Sequence, residues 1–121
     1  MNYQEMSDFD INCAVARLIG DEVYSNNKDC TKHKAYRIGD RYRDVYSSGW
    51  STDVFDPCNS WADAGPIIQE NGINLMASKV VGSGGLKEWE AMSYEGNCHH
   101  WGELNPLRAA MIVFLMMKGG E

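Results

Sequence analysis

The sequence has no long apolar run, and this absence excludes a membrane-spanning helix. Its most apolar stretch, AAMIVFLMM at residues 109–117, is nine residues long, whereas a helix needs about 20 to cross a bilayer. Residues 1–15 also lack the basic segment and the following apolar segment that mark a signal peptide. We therefore expect a cytosolic protein that has no membrane partner.

The sequence lacks paired cysteines, because the spacing of its four cysteines fits neither a disulfide framework nor a metal-binding pair. None of the four cysteines belongs to a CxxC motif, and thiols stay reduced in the cytosol. Thiolate and imidazole are the usual zinc ligands, but the adjacent His99 and His100 point in different directions on most backbones. We therefore expect free thiols, no metal and no other cofactor. The residues considered for zinc are Cys30, His33, Cys58, Cys98, His99 and His100.

The sequence also lacks the short motifs that identify common catalytic sites. It contains no GxSxG, HExxH, GxxxxGK[ST] or GxGxxG, and GSGG at residues 82–85 lacks the strand, helix and lysine of a phosphate-binding loop. Asp56 and Asp63 are explained by a turn before Pro57 and by the first turn of a helix. The sequence leaves enzymatic activity open and favours a protein that is not an enzyme.

The chain is acidic: it has 17 Asp and Glu and 11 Lys and Arg, which give a net charge of -6. Such a chain repels phosphate backbones, so we expect no nucleic acid polymer as a partner. Hydrophobic residues reach 44% and aromatic residues 11%, which is enough for a folded core. The length suits a single domain over residues 1–121.

The first half of the chain shows a capped helix followed by a hairpin. Ser7 as N-cap and apolar residues at helical spacing predict a helix over residues 8–19, with Gly20 ending it in a left-handed turn. Residues 21–34 are polar and are expected to form a surface loop. Residues 35–50 predict a hairpin around a Gly39-Asp40 turn.

The second half predicts a broken helix, a second hairpin and a buried helix. Residues 56–72 carry a cap at Asn59 or Ser60 and a terminator at Gly72, and Pro66 is expected to break the helix near Gly65. Residues 73–81 and 87–94 are typical of paired strands. The resulting fold class is α+β: a small antiparallel sheet of about four strands packed against an N-terminal helix, a broken middle helix and a buried C-terminal helix.

The C-terminal helix has the clearest start and stop signals. Asn105 suits the N-cap, Pro106 the first helical position and Gly119 the end. Because the helix is apolar all round, we expect it to lie in the core. Its first turn presents unpaired N–H groups beside Arg108, which is a plausible anion site. In the alternative, Asn105 caps these donors and Arg108 pairs with a carboxylate such as Glu103.

Four quoted stretches resemble the small phage proteins of the NinX type: SDFDIN, WADAGPIIQENGI, WEA and NPLRAAMIVFLMM. The likeness covers nearly the whole chain, although residues 21–34 and 94–103 look individual. This family is found in tailed bacteriophages of enteric bacteria and its function is uncharacterised. The resemblance implies phage origin, the host cytoplasm and an accessory role, and it assigns no catalytic residue.

Two functional hypotheses remain open. In the first, the protein binds a small anionic ligand such as a nucleotide signal used in host defence, a role suggested by phage context. In the second, it is an acidic module that binds and inhibits or redirects a host protein, and a homo-oligomer is compatible with either. The candidate ligand-binding residues are Arg37, Arg41, Arg43, Trp50, Trp61, Trp101, Asn105 and Arg108.

Overall fold

The computed structural model describes residues 3–22, 33–39, 41–46, 54–79 and 87–119. It confirms the α+β class, with two antiparallel three-stranded sheets where one sheet of about four strands was expected. The chain divides into two compact units, Met1–Asp56 and Pro57–Glu121. The prediction of one domain over residues 1–121 stays a prediction. No helix in the described part of the chain is long and apolar enough to cross a membrane.

The first unit begins with a 3-10 helix, Tyr3–Glu5, and the predicted helix α1, Asp8–Ile19. The Ser7 side chain accepts a hydrogen bond from the Asp10 N–H at 3.1 Å, which confirms the cap. The expected left-handed turn at Gly20 is wrong, because its φ of -154° is extended backbone. Glycine is required there by a close approach: a Cβ would lie 2.3 Å from the Arg37 carbonyl oxygen.

The sheet of the first unit has the order β1, Asp21–Glu22; β2, His33–Ile38; β3, Arg41–Tyr46. The predicted hairpin is confirmed, and Gly39 has the positive φ of 67° that such a turn favours. The side chains of Tyr36 and Val45 are fully buried on the face that lies towards α1. Asn12, itself buried, donates to Asp56 Oδ1 at 2.7 Å and so satisfies its amide.

The second unit begins with one continuous helix, α2, Trp61–Asn71, so the expected break near Gly65 is wrong. Pro66 cannot donate to the carbonyl of Ala62 one turn earlier. Both residues are exposed, so water can bond to that carbonyl and the helix continues through the proline. Ser60 is the N-cap, and Gly72 ends the helix in the left-handed conformation at φ 63°, as predicted.

The sheet of the second unit has the order β4, Asn74–Lys79; β5, Lys87–Met92; β6, His99–Glu103. The β4–β5 hairpin was predicted, whereas no strand was predicted at β6. The last helix, α3, Pro106–Gly119, packs against β5, β6 and α2. Residues 109–115 are all buried, which confirms its position in the core.

Candidate functional site

The three candidate arginines lie on two opposite faces of the β2–β3 hairpin. Arg37 is opposite Tyr42 in the register, whereas Arg43 is opposite the buried Tyr36. Side chains alternate along a strand, so Arg41 shares the face of Arg43 and not that of Arg37. The arginine cluster that the sequence suggests is therefore divided by the pleat of the sheet.

Arg43 contributes to the structure of the first unit. Its Nη2 donates to the carbonyl oxygen of Val54 at 2.7 Å, and its guanidinium lies 5.2 Å from the centre of the Phe55 ring. The Phe55 N–H donates to the Asp44 carbonyl at 2.7 Å. These contacts hold residues 54 and 55 against β3. Arg37 and Tyr42 are both exposed and form the cationic and aromatic pair of the opposite face.

The other candidates belong to the second unit, apart from Trp50, which lies outside the described residues. Trp61 begins α2 with 60% of its surface exposed, and Trp101 lies on β6 with 64% exposed. Asn105 is the N-cap of α3: its Oδ1 accepts from the N–H groups of Leu107 at 2.9 Å and of Arg108 at 3.3 Å. These bonds occupy the donors that an anion would require.

The amide nitrogen of Asn105 joins the starts of the two helices in the second unit. It donates to the Cys58 carbonyl at 2.7 Å and to Asn59 Oδ1 at 3.2 Å. One asparagine thus caps α3 and fixes the segment that leads into α2. Its sequence signal was correctly read as a cap, but the link to residues 58 and 59 was not foreseeable.

A bulge in β6 brings His100 and Glu103 to the same side of the sheet. The register pairs Trp89 with Glu103 and Ala91 with His100, so β6 has one extra residue. Gly102, at φ 81°, provides the required positive φ. Without the bulge, two residues three apart would point to opposite faces.

Glu103 connects β6 to α3 through His100 and Arg108. Its Oε1 lies 3.0 Å from His100 Nε2 and 3.3 Å from Arg108 Nε. The three side chains are only 12–14% exposed. Arg108 is therefore neutralised inside the protein, as in the alternative to the anion site, and the start of α3 acts as a structural junction.

The face of the second sheet that points away from α3 carries a row of exposed and half-exposed side chains. Met76 is opposite Glu90 in the register, and Glu90 Oε2 lies 2.7 Å from His99 Nε2. The His99 ring centre lies 5.0 Å from that of Trp101. We call these four residues the outer face. Trp101 is 64% exposed and Met76 is 41% exposed.

The sequence does not predict the outer face, because it predicts no strand over residues 99–103. The strand is short, it contains a bulge, and glycine follows tryptophan in it, so it carries no simple alternation of apolar and polar residues. The usable signal was the spacing of His99 and Trp101, two residues apart, which places both on one face of any strand.

A second feature is an open cleft of about 660 Å³ at the C-terminal ends of α2 and α3. We call it the helix-end cleft. Its wall is the turn between β5 and β6, and its apolar floor includes two methionines of α3. The lining residues are Glu70, Asn71, Ser93, Tyr94, Glu95, Asn97, Cys98, Met116 and Met117.

The turn that forms this wall is fixed by hydrogen bonds around the buried Ser93. Its N–H donates to the Cys98 carbonyl at 2.9 Å, and its hydroxyl donates to Asn97 Oδ1 at 2.8 Å. The same hydroxyl accepts from the Cys98 N–H at 3.1 Å. The wall is therefore formed before any ligand binds. The cleft has no signal in the sequence, because its lining residues come from separate parts of the chain.

The described thiols and histidines do not assemble into a metal site. Cys13, Cys58 and Cys98 are thiols and not halves of a disulfide. Within residues 3–22, 33–39, 41–46, 54–79 and 87–119, no three His, Cys, Asp or Glu side chains are grouped so that they could hold a metal ion. Cys30 lies outside these ranges.

The two sheets and the helices packed on them define a small α+β protein with a tryptophan on a sheet face and a cleft at its helix ends. The family described as bacteriophage P22, NinX, matches residues 2–118, and the chain belongs to this family. No curated protein and no solved structure matches the chain.

Proposed function

We propose that this phage accessory protein acts in the host cytoplasm by binding a host protein through the outer face. Membership of the phage family supports an accessory role. The outer face supports binding, because tryptophan and methionine are enriched at protein interfaces and Trp101 is largely exposed.

The single observation that carries the proposal is that Trp101 is exposed and also held in place. Its ring contacts the His99 ring at 5.0 Å, and His99 is itself held by Glu90 at 2.7 Å. An aromatic side chain that is already ordered loses little conformational entropy when a partner covers it. Exposed and pre-oriented tryptophans are therefore suited to be the anchors of an interface.

Charge supports a basic partner. The whole chain has a net charge of -6, and Glu90 lies within the outer face itself. Complementary charge speeds association and disfavours other acidic proteins. We therefore propose a partner that presents a basic patch with an apolar pocket, into which the Trp101 indole inserts.

The test compares two tryptophans of nearly equal exposure. Wild type, Trp101→Ala and Trp61→Ala are immobilised and offered host lysate, and the retained protein is purified for calorimetry with each variant. We expect Trp101→Ala to weaken binding by about 2 kcal/mol, since an interface hot spot contributes at least that much. Trp61→Ala, which is 60% exposed at the start of α2, should bind as wild type does. A partner held equally by Trp101→Ala and wild type would contradict the proposal.

A small anionic ligand such as a nucleotide signal is a second candidate, supported by the exposed pair of Arg37 and Tyr42. An aromatic base can stack on the tyrosine while the guanidinium contacts a phosphate. Asp21 lies opposite Arg37 on the other side of β2 and reduces this attraction. A thermal-shift panel of mono-, di- and cyclic nucleotides tests the candidate, because a ligand at 100 times its Kd adds about 2.7 kcal/mol. A shift that Arg37→Ala abolishes would support it, and no shift would contradict it.

A further inference from the structure

We infer that the helix-end cleft is a second binding site, which takes an organic cation: a guanidinium or ammonium group carried on a short apolar body. The inference does not depend on the proposed function, because the cleft and the outer face share no residue. The cleft volume of about 660 Å³ is within the range of small-molecule sites, about 300–1,000 Å³.

The cleft is lined by acidic side chains. Glu70 and Glu95 line it, and neither makes an ion pair with any residue in the described part of the chain. In contrast, Glu90 and Glu103 of the same unit are paired with histidine or arginine. No Lys, Arg or His is among the described residues that line the cleft. Because two carboxylates line the cleft and none of its described lining residues is a cation, the cleft attracts a positively charged group.

The two helices of the second unit both end at the cleft. Asn71 ends α2, and Met116 and Met117 are in the last turns of α3, so the C-terminal ends of both helices meet at the cleft. A helix C-terminus carries a partial negative charge from its last carbonyl groups. The Asn71 amide nitrogen donates to the Ile67 carbonyl at 2.8 Å, which leaves its oxygen as a further acceptor. The backbone therefore adds to the negative potential of the carboxylates.

The cleft also offers apolar contacts to the body of the ligand. Met116 and Met117 provide flexible thioether side chains that adapt to different shapes. The Tyr94 ring, 79% exposed at the edge, offers an aromatic face to a cation. Acidic and apolar groups together select a cation that carries carbon atoms, in preference to a small hydrated metal ion. Both a free alkyl guanidinium and the arginine side chain of a partner protein fit this chemistry.

The test is an NMR titration of the whole chain, followed by backbone N–H and methionine methyl signals. Nα-Acetyl-L-argininamide, called argininamide below, is the probe, and Nα-acetyl-L-citrullinamide, called citrullinamide below, is the matched control, because it has the same length and a neutral urea group in place of the guanidinium. We expect saturable shifts at residues 70–71, 93–98 and 116–117 with argininamide, weaker binding at higher salt, and at least about tenfold weaker binding of citrullinamide. Equal binding of both probes, or no saturable shift up to about 10 mM argininamide, would overturn the inference.

Two further titrations complete the test, one with protein variants and one with an arginine-containing peptide. Glu70→Gln/Glu95→Gln should weaken argininamide binding about tenfold, whereas Glu88→Gln on β5, outside the cleft, and Trp101→Ala should bind within twofold of wild type. Unchanged binding by the Glu70/Glu95 double variant would overturn the inference. Acetyl-Gly-Arg-Gly-amide identifies the source of the cation: tighter binding than argininamide indicates a protein side chain, and weaker binding indicates a free small cation.

Discussion

Glu103 joins β6 to α3, so replacing it with glutamine should destabilise the protein well beyond an ordinary surface change. Its carboxylate contacts His100 at 3.0 Å and Arg108 at 3.3 Å, and its side chain is 12% exposed. Breaking a fully buried ion pair from one side costs about 3–5 kcal/mol, because the remaining charge is left without a partner. Glutamine keeps a hydrogen-bond acceptor and water reaches part of Arg108, so we expect a loss of about 2 kcal/mol.

Urea unfolding followed by tryptophan fluorescence measures this loss. Glu90→Gln is the matched control: Glu90 pairs with His99 on the outer face, where the two side chains are 33–39% exposed, and its loss should cost less than about 0.5 kcal/mol. Glu103→Gln/Arg108→Gln should recover at least about 1 kcal/mol relative to the sum of the single variants, as expected for coupled charges. Equal effects of Glu103→Gln and Glu90→Gln, or a purely additive double variant, would refute the role assigned to Glu103.

Three further predictions concern the core and the sheets. Phe114→Ala should lower the free energy of unfolding, measured in urea, by about 3–5 kcal/mol, because its ring is 2% exposed. A variant as stable as wild type would show that α3 is not part of the core. Gly20→Ala should lower the free energy of unfolding by about 1–3 kcal/mol in the same assay, since its Cβ would lie 2.3 Å from the Arg37 carbonyl oxygen. An unchanged free energy would contradict this close contact between Gly20 and β2. Burial raises the pKa of Tyr36, with its contact to Cys13 adding to the effect, so its phenol ionises more readily in the unfolded chain. Stability should therefore fall as pH rises above about 10, less steeply in Tyr36→Phe, and identical pH profiles would count against this explanation.

Local signals in the sequence were sufficient for the helix starts and for the two hairpins. Ser7, Ser60 and Asn105 cap helices because their side-chain oxygens accept the first free N–H groups, a property of residue type and position. Gly39 marks a turn because only a few residues tolerate its positive φ. Such signals depend on neighbours in the chain and can be read without the fold.

The errors arose where the outcome depends on distant contacts or on solvent. Pro66 suggested a break, but the bond it removes lies on an exposed side of α2, where water replaces it. Gly20 suggested a left-handed cap, but glycine is required there because β2 passes too close to leave room for a Cβ. The strand at residues 99–103 was hidden by its bulge, and only pairing with β5 reveals it.

The candidate site was harder to derive from the sequence than the fold. Trp101 is a candidate from the sequence, because a tryptophan beside glycine and histidine in a polar stretch stands apart from the core, and its ring is exposed; its role in binding stays a prediction. The three arginines are close in sequence, but closeness in sequence does not show which face of a strand each side chain occupies. Neither Glu90 beneath His99 nor the helix-end cleft is visible without tertiary structure, since their residues come from separate elements.

Site-specific photo-crosslinking in infected cells tests the central claim most directly. Trp101 and, separately, Trp61 are replaced by p-benzoylphenylalanine, which keeps a large aromatic group at two positions of similar exposure. We expect a discrete adduct with a basic host protein from position 101 and none from position 61. Adducts of equal yield from both positions, or none from position 101, would contradict binding through the outer face.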